Sequence, residues 1–221
     1  MPDGAPTSRG DGWGLASKAV TNPAAQAEPA NFRTSVDAMN AASVRREIEI
    51  GPIRPPQRLA PFSYAIGAEV ARSGSTHGNV PEQSEGDAFG RLILLYDPQG
   101  DEAWDGTFRL VAYIQADLDE SVASDTLLPE VAWSWLTEAL EARGAAMTAL
   151  GGTVTATTSV RYGDIAGPPR GYQLELRASW TPRVEGDQDM GVHVQAFCDL
   201  LANAAGLPPV GVTDLGARGR S

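Results

Sequence analysis

Two stretches constrain the fold more than any others: TFRLVAYIQAD at 107–117 and YQLELRASWT at 172–181. In each, alternate residues are apolar. Phe108, Leu110, Ala112 and Ile114 share one side of the first; Tyr172, Leu174, Leu176, Ala178 and Trp180 share one side of the second. Successive side chains on a strand point to opposite faces, so this alternation marks strands with one buried and one wet face. Sheets wetted on one face are antiparallel, and their apolar face calls for helices packed on that side.

The rest of the chain is read against these two anchors. LILLY at 92–96 is a continuous apolar run suited to a central strand. TVTATTSVR at 153–161 alternates, with Val154, Ala156 and Val160 inward and threonines outward. Residues 127–143 carry a helical pattern ended by Gly144 as the C′ residue, with Asp119, Glu120 and Asp125 complementing the dipole at its start. A last helix over 190–205 stops at Gly206, with Pro208 and Pro209 beyond.

Towards the N-terminus, Phe32, Val36, Met39 and Val44 give an approximately helical element. EIEI at 47–50 alternates until Pro52, Pro55 and Pro56 stop it, and so reads as at best a short edge strand. RLAPFSYAIGAEVARS at 58–73 reads as a second helix with Pro61 near its first turn. The expected fold is α+β: an antiparallel sheet of about four to five strands with two main helices on one face, a β-β-α-β-β-α core, preceded by one or two N-terminal helices. Residues 1–30 and 208–221 read as disordered tails around a single domain at 31–207, with a flexible loop at 73–87.

Composition narrows the function classes. A single cysteine, Cys198, allows no intrachain disulfide. No stretch reaches the roughly 18 consecutive apolar residues of a membrane span, and the N-terminus lacks the pattern of a secretory signal. A soluble, cytoplasmic protein without a membrane partner is the expectation. Net charge is −11, and residues 81–145 hold fourteen acids against three arginines. A nucleic-acid binder carries a basic stripe, so the charge pattern argues against direct nucleic-acid binding.

EVAWSWLTEALEARGA at 130–145 poses a geometric problem. Residues two apart on a helix point about 200° away from each other, so Trp133 and Trp135 cannot both lie at the centre of one apolar stripe. With Leu127, Val131, Trp135, Leu128 and Ala139 taken as the sheet-facing arc, Trp135 is core. Trp133 then shares a border with Leu140 and must meet something other than the sheet. An N-terminal helix of the same chain, a second copy or partner protein, and a small-ligand pocket are the alternatives, the first favoured.

Enzyme signatures are missing. The chain has no phosphate loop, no dinucleotide fingerprint and no nucleophile elbow. One Cys and two His cannot form a zinc site of the usual kind. His77 reads as an exposed loop residue, His193 as a satisfied residue at the border of the last helix's apolar face, and Cys198 as an inert small hydrophobe. The loop DPQGDEAWDG supplies weak metal candidates, Asp97, Asp101, Glu102 and Asp105, without the spacing of an EF-hand. Trp104 either folds back over the hairpin or stands at its tip as a contact residue. If the strands adjoin, Arg109, Tyr113, Arg161 and Arg177 form a polar sheet face together with Gln115, Thr155, Thr157 and Glu175. Solvation is its simplest reading. No cofactor is implied.

The segments PPQRLAPFSYAIGAEV, RLILLYDPQGDEAWDGTFRLVAYIQADL, EVAWSWLTEAL, GGTVT, LRASWTP and AFCDLLANAAGLPP, in this order, resemble the actinobacterial domain-of-unknown-function family three thousand. The resemblance spans 32–209 and implies a cytoplasmic protein of high-GC bacteria, with no activity or site residue to carry over. The favoured function is therefore a non-enzymatic binding or assembly protein with a protein partner or a homo-oligomeric state, using Trp133, Leu140 and Trp104. The alternatives are a metal-dependent enzyme or cation-binding protein on the 97–105 carboxylates, and a small-ligand module on the polar sheet face.

Overall fold

A computed structural model describes residues 28–70, 88–164, 170–183 and 190–210. The expected tail at 1–30, apart from its last three residues, the loop at 73–87 with His77, and the C-terminal segment beyond 210 lie outside the described residues. Six strands form one antiparallel sheet: β1 (Ile48–Pro52), β2 (Phe62–Val70), β3 (Ala88–Asp101), β4 (Gly106–Asp117), β5 (Met147–Val160) and β6 (Arg170–Pro182). Their spatial order is β1-β2-β3-β4-β6-β5. The helices are α1 (Ala30–Asn40), the single turn α2 (Glu120–Ala123), α3 (Leu128–Ala142) and α4 (Gly191–Ala204).

The α+β class stands, but the sheet is larger than four to five strands because residues 62–70 form β2, not a helix. FSYAIGAEV alternates Phe62, Tyr64, Ile66, Ala68 and Val70 against Ser63, Ala65, Gly67 and Glu69. Small apolar residues on the second face hid this period, and the aromatic and β-branched residues of the first face suit a strand. With β2 in place, EIEI finds a partner: Ile48 lies opposite Val70, and Pro52 opposite Ile66.

The core lies on the side of the even-numbered strand residues. Phe108, Leu110, Ala112, Ile114 and Ala116 of β4 are buried, as are Leu174, Leu176, Ala178 and Trp180 of β6. The three longer helices pack there. Phe32 of α1 sits between Phe62 and Tyr96, at ring centroid distances of 5.8 and 5.9 Å. Phe197 of α4 lies so close to Gly90 that a Cβ there would stand 2.6 Å from its ring. α3 ends as its sequence implies: Gly144 adopts φ +63, with Ala145 N donating to Leu140 O and Gly144 N to Glu141 O, the double bond of a Schellman cap. Arg143 then clamps Asp199 of α4 with two bonds of 2.6 and 2.9 Å.

After β4 the chain crosses the core face through α2 and α3 and enters the sheet at its far edge as β5. β6 fills the gap between β4 and β5. The second hairpin is therefore reversed relative to a simple meander, and among the described residues β5 has a neighbour on one side only.

Candidate functional site

The face opposite the helices gathers most of the expected polar residues. Tyr113 of β4 lies directly across from Arg177 of β6, and Gln115 from Glu175. β5 adds Thr153 beside Arg177 and Thr155 beside Glu175. The Tyr113 hydroxyl stands 2.9 Å from Gln115 Oε1 and 2.9 Å from Glu175 Oε2. Burial, and then its bond to the Glu175 carboxylate, push the phenol pKa up. Arg177 holds the same carboxylate at 3.0 Å, and its guanidinium carbon lies 5.6 Å from the Tyr113 ring centre. Phe89 of β3 packs against that ring in a tilted pair, at 5.9 Å between centroids.

Arg109 is held differently. Its Nη1 donates to Ala149 O at 2.9 Å and to Thr181 Oγ1 at 3.1 Å, and its Nη2 donates to Ser179 Oγ at 2.7 Å. None of these acceptors is charged, and no described carboxylate pairs with the guanidinium. Partial burial lowers its pKa. The Ala149 carbonyl reaches Arg109 because β5 is irregular between Thr148 and Gly151, with Ala149 in the left-handed region at φ 50.

Arg161 does not join this group. It follows β5 six residues beyond Thr155, roughly 20 Å along the strand. There it lines a cleft of about 440 Å³ with Ser159, Arg170, Tyr172, Gln173 and Asp117. Arg170 and Tyr172 also approach Glu120, at 4.0 and 2.9 Å.

The carboxylate hairpin is bound up in its own geometry. Asp97 accepts from Gln99 N at 2.9 Å, and Asp101 from Ala103 N at 2.8 Å. Asp105 pairs with Arg183 at 2.9 Å and accepts from Thr148 Oγ1 at 3.3 Å. Among the described residues, no three His, Cys, Asp or Glu side chains come together as metal ligands. Trp104 is half-buried, and its carbonyl accepts from Thr181 Oγ1, so the hairpin tip is tied onto β6.

Around α3 the expected orientation is turned. The buried stripe is Leu128, Ala132, Leu136, Ala139 and Leu140, centred about 150° from Leu127 on the wheel. Both tryptophans flank it and both are half-buried. Trp133 meets the sheet after all: a Cβ on Gly152 would lie 2.8 Å from its Cζ3. Glycine at 152 leaves room for that ring, and the Gly151-Gly152 pair was the sequence signal for it. Leu140 is 1% exposed and has no surface to offer. Leu127 and Val131, assigned to the apolar arc, instead face solvent at 61% and 40% exposure. Small Ala132, fully buried, sits inside the stripe, whereas Leu127, larger and more apolar, lies just before the helix at Leu128 and faces solvent.

His193 is not at a border but buried at 3% exposure, where Nδ1 accepts from Trp180 Nε1 at 3.2 Å. Desolvation pulls its pKa down to about 4. Cys198 is buried on the same helix, and desolvation raises its thiol pKa to about 12. No helix among the described residues is long and apolar enough to cross a membrane.

A family model described as "Protein of unknown function (DUF3000)" matches residues 28–213. The chain belongs to the DUF3000 family. No curated protein and no solved structure matches it. The match covers the whole described sheet, so the polar face, the tied hairpin and the outer flank of α3 all lie within the DUF3000 region.

Proposed function

We propose that this DUF3000 protein is a non-enzymatic protein-binding module whose contact surface is the outer flank of α3. One observation carries the reading: Leu127 and Val131, one helical turn apart, are exposed at 61% and 40% beside half-buried Trp135. Single exposed apolar residues are ordinary, but a contiguous apolar strip with an aromatic margin is the composition of an interface centre. Asp125, Glu130 and Glu138 surround the strip, so the matching partner surface is apolar with a basic rim. This keeps the assembly role expected from the sequence but moves it from Trp133, Leu140 and Trp104 to Leu127, Val131 and Trp135.

The test is the native mass of the untagged protein extracted gently from its host, beside the recombinant protein alone. A larger mass in the extract, returned to the recombinant value by Leu127→Glu, is the expected result. Equal masses, or a complex indifferent to Leu127→Glu, would remove the reading.

A second reading has one supporting observation. Arg109 presents a guanidinium held by neutral acceptors, a suitable half-site for a small carboxylate or phosphate ligand on the open face. A melting shift with such anions that Arg109→Gln abolishes is its signature.

A further inference from the structure

The cleft at the end of the sheet, where β4 and β5 stop and β6 begins, combines a ligand-sized volume with a charge opposite to that of the chain. Its volume is about 440 Å³. Sites for one small molecule span roughly 300–1,000 Å³. The charged groups in its lining are Arg161, Arg170 and Asp117, two guanidiniums to one carboxylate, whereas the whole chain carries −11. Strand register explains the grouping: Val160 lies opposite Arg170, Ser159 opposite Gly171, and Asp117 opposite Gln173.

Arg170 is loosely held. Glu120 stands 4.0 Å from its Nη1, beyond hydrogen-bond length, and the two side chains are 62% and 73% exposed. Such a pair contributes little and exchanges readily for an oxyanion that accepts two bonds from the guanidinium. Arg161 is already engaged within the chain, but a guanidinium carries five N–H donors and one partner does not exhaust them.

Gly171 supplies a second, independent observation. Gly90 and Gly152 are glycine because a Cβ would strike Phe197 in one case and the Arg177 carbonyl and Trp133 ring in the other. Gly171 has no such neighbour: a Cβ there meets nothing within 4 Å among the described residues, and its φ is outside the left-handed region. Glycine weakens a strand, and one that neither packing nor backbone conformation requires marks a place where a ligand can approach the chain closely. The open space beside Gly171 is the cleft.

We propose that this cleft binds a small hydroxylated phosphate ester, with Arg170 and Arg161 at the phosphate and Asp117, Gln173 and Ser159 at the hydroxyls. A doubly charged phosphate matches two guanidiniums. Asp117 can only accept hydrogen bonds and repels a bare phosphate, so the ligand must present hydroxyl donors to it and carry its charge elsewhere. The bare backbone at Gly171 lets the ligand lie against β6. The cleft shares no residue with the α3 flank, and Arg109 is eight residues, about 27 Å, along β4 from Asp117. Leu127→Glu and Arg109→Gln therefore leave it intact, and its failure is distinguishable from failure of either reading above.

Amide NMR titration of the full chain with ribose 5-phosphate, ribose and inorganic phosphate tests the site. Ribose 5-phosphate is expected to bind by the millimolar range, shifting resonances of 159–161 and 170–173, inorganic phosphate about tenfold more weakly, and ribose not at all. Gly171→Leu, which places a side chain in the cleft without a clash, is expected to abolish binding. Arg170→Gln is expected to weaken it about tenfold or more, and both variants melt as the native protein does because neither removes a buried contact. No binding of ribose 5-phosphate, binding undiminished by Gly171→Leu, or inorganic phosphate bound as tightly as the ester would each overturn the proposal. So would binding that Arg109→Gln abolishes and Arg170→Gln spares.

Discussion

Trp180 Nε1 donates a hydrogen bond of 3.2 Å to His193 Nδ1 at a point where both residues are buried, joining β6 to α4 through the core. Accepting this bond requires the neutral imidazole with its proton on Nε2. The folded pKa, about 4, lies below the unfolded value near 6.5. Between those limits the unfolded chain binds a proton that the folded chain refuses. The stabilising contribution is therefore complete above about pH 6.5 and is lost as pH falls towards 4. The full window is worth about 3 kcal/mol. Urea unfolding at pH 7.5 and 5.0 is expected to show a loss in the native protein that His193→Asn, whose side-chain oxygen can accept the same bond, largely lacks. Equal pH dependence in the two proteins would exclude His193 as its source.

Cys198 is buried at 2% exposure, and its raised pKa leaves almost no thiolate at neutral pH. Native protein is expected to be unreactive to thiol reagents at pH 8, with labelling following the unfolding transition in urea. Rapid stoichiometric labelling without denaturant would show that α4 opens locally under native conditions.

Legibility followed periodicity. β4, β6 and α3 are legible within a few residues because each buries one face, and one buried face writes a clear period into the sequence; α4, buried nearly all round, is legible instead from its apolar run and its Gly206 stop. β2 was missed because Ala65 and Gly67 occupy its other face, where residues of small volume resemble an apolar helix margin. The polar cluster of Arg109, Tyr113 and Arg177 followed from strand alternation alone, whereas the separation of Arg161 depended on where β5 pairs. The status of β5 as an edge was invisible. Strand order depends on the path of α3 across the core, and no local pattern records it.

Trp133 and Gly152 form a matched pair, so each substitution has a signed consequence. Alanine at 152 would place its Cβ 2.3 Å from Arg177 O and 2.8 Å from the Trp133 ring. Backbone cannot yield as a side-chain tip does, so Gly152→Ala is expected to cost about 1–3 kcal/mol. Trp133→Ala removes the ring that covers this part of β5 and is expected to cost about 2–3 kcal/mol, somewhat below a fully buried tryptophan. Denaturant unfolding measures both, and native mass should be unaltered in each. A Trp133→Ala protein of unchanged stability but altered mass would return that ring to an intermolecular contact.

At the hairpin tip, magnitudes decide which anchor matters. Arg183 and Asp105 are paired, but their side chains are 50% and 61% exposed, and an exposed ion pair contributes about 0.2–1 kcal/mol. Thr181 is 3% exposed, and its hydroxyl both donates to Trp104 O and accepts from Arg109 Nη1. Thr181→Val keeps the volume but takes the donor from Trp104 O and one of two acceptors from Arg109 Nη1, so it is expected to cost about 1–3 kcal/mol, more than Arg183→Ala. With Asp97, Asp101 and Asp105 engaged by Gln99 N, Ala103 N and Arg183, and no three carboxylates brought together among the described residues, millimolar Mg²⁺, Ca²⁺ or Mn²⁺ is expected to leave the melting temperature unchanged. A shift that grows with cation concentration and disappears in Asp105→Asn would show the tip exchanging its arginine for a metal ion.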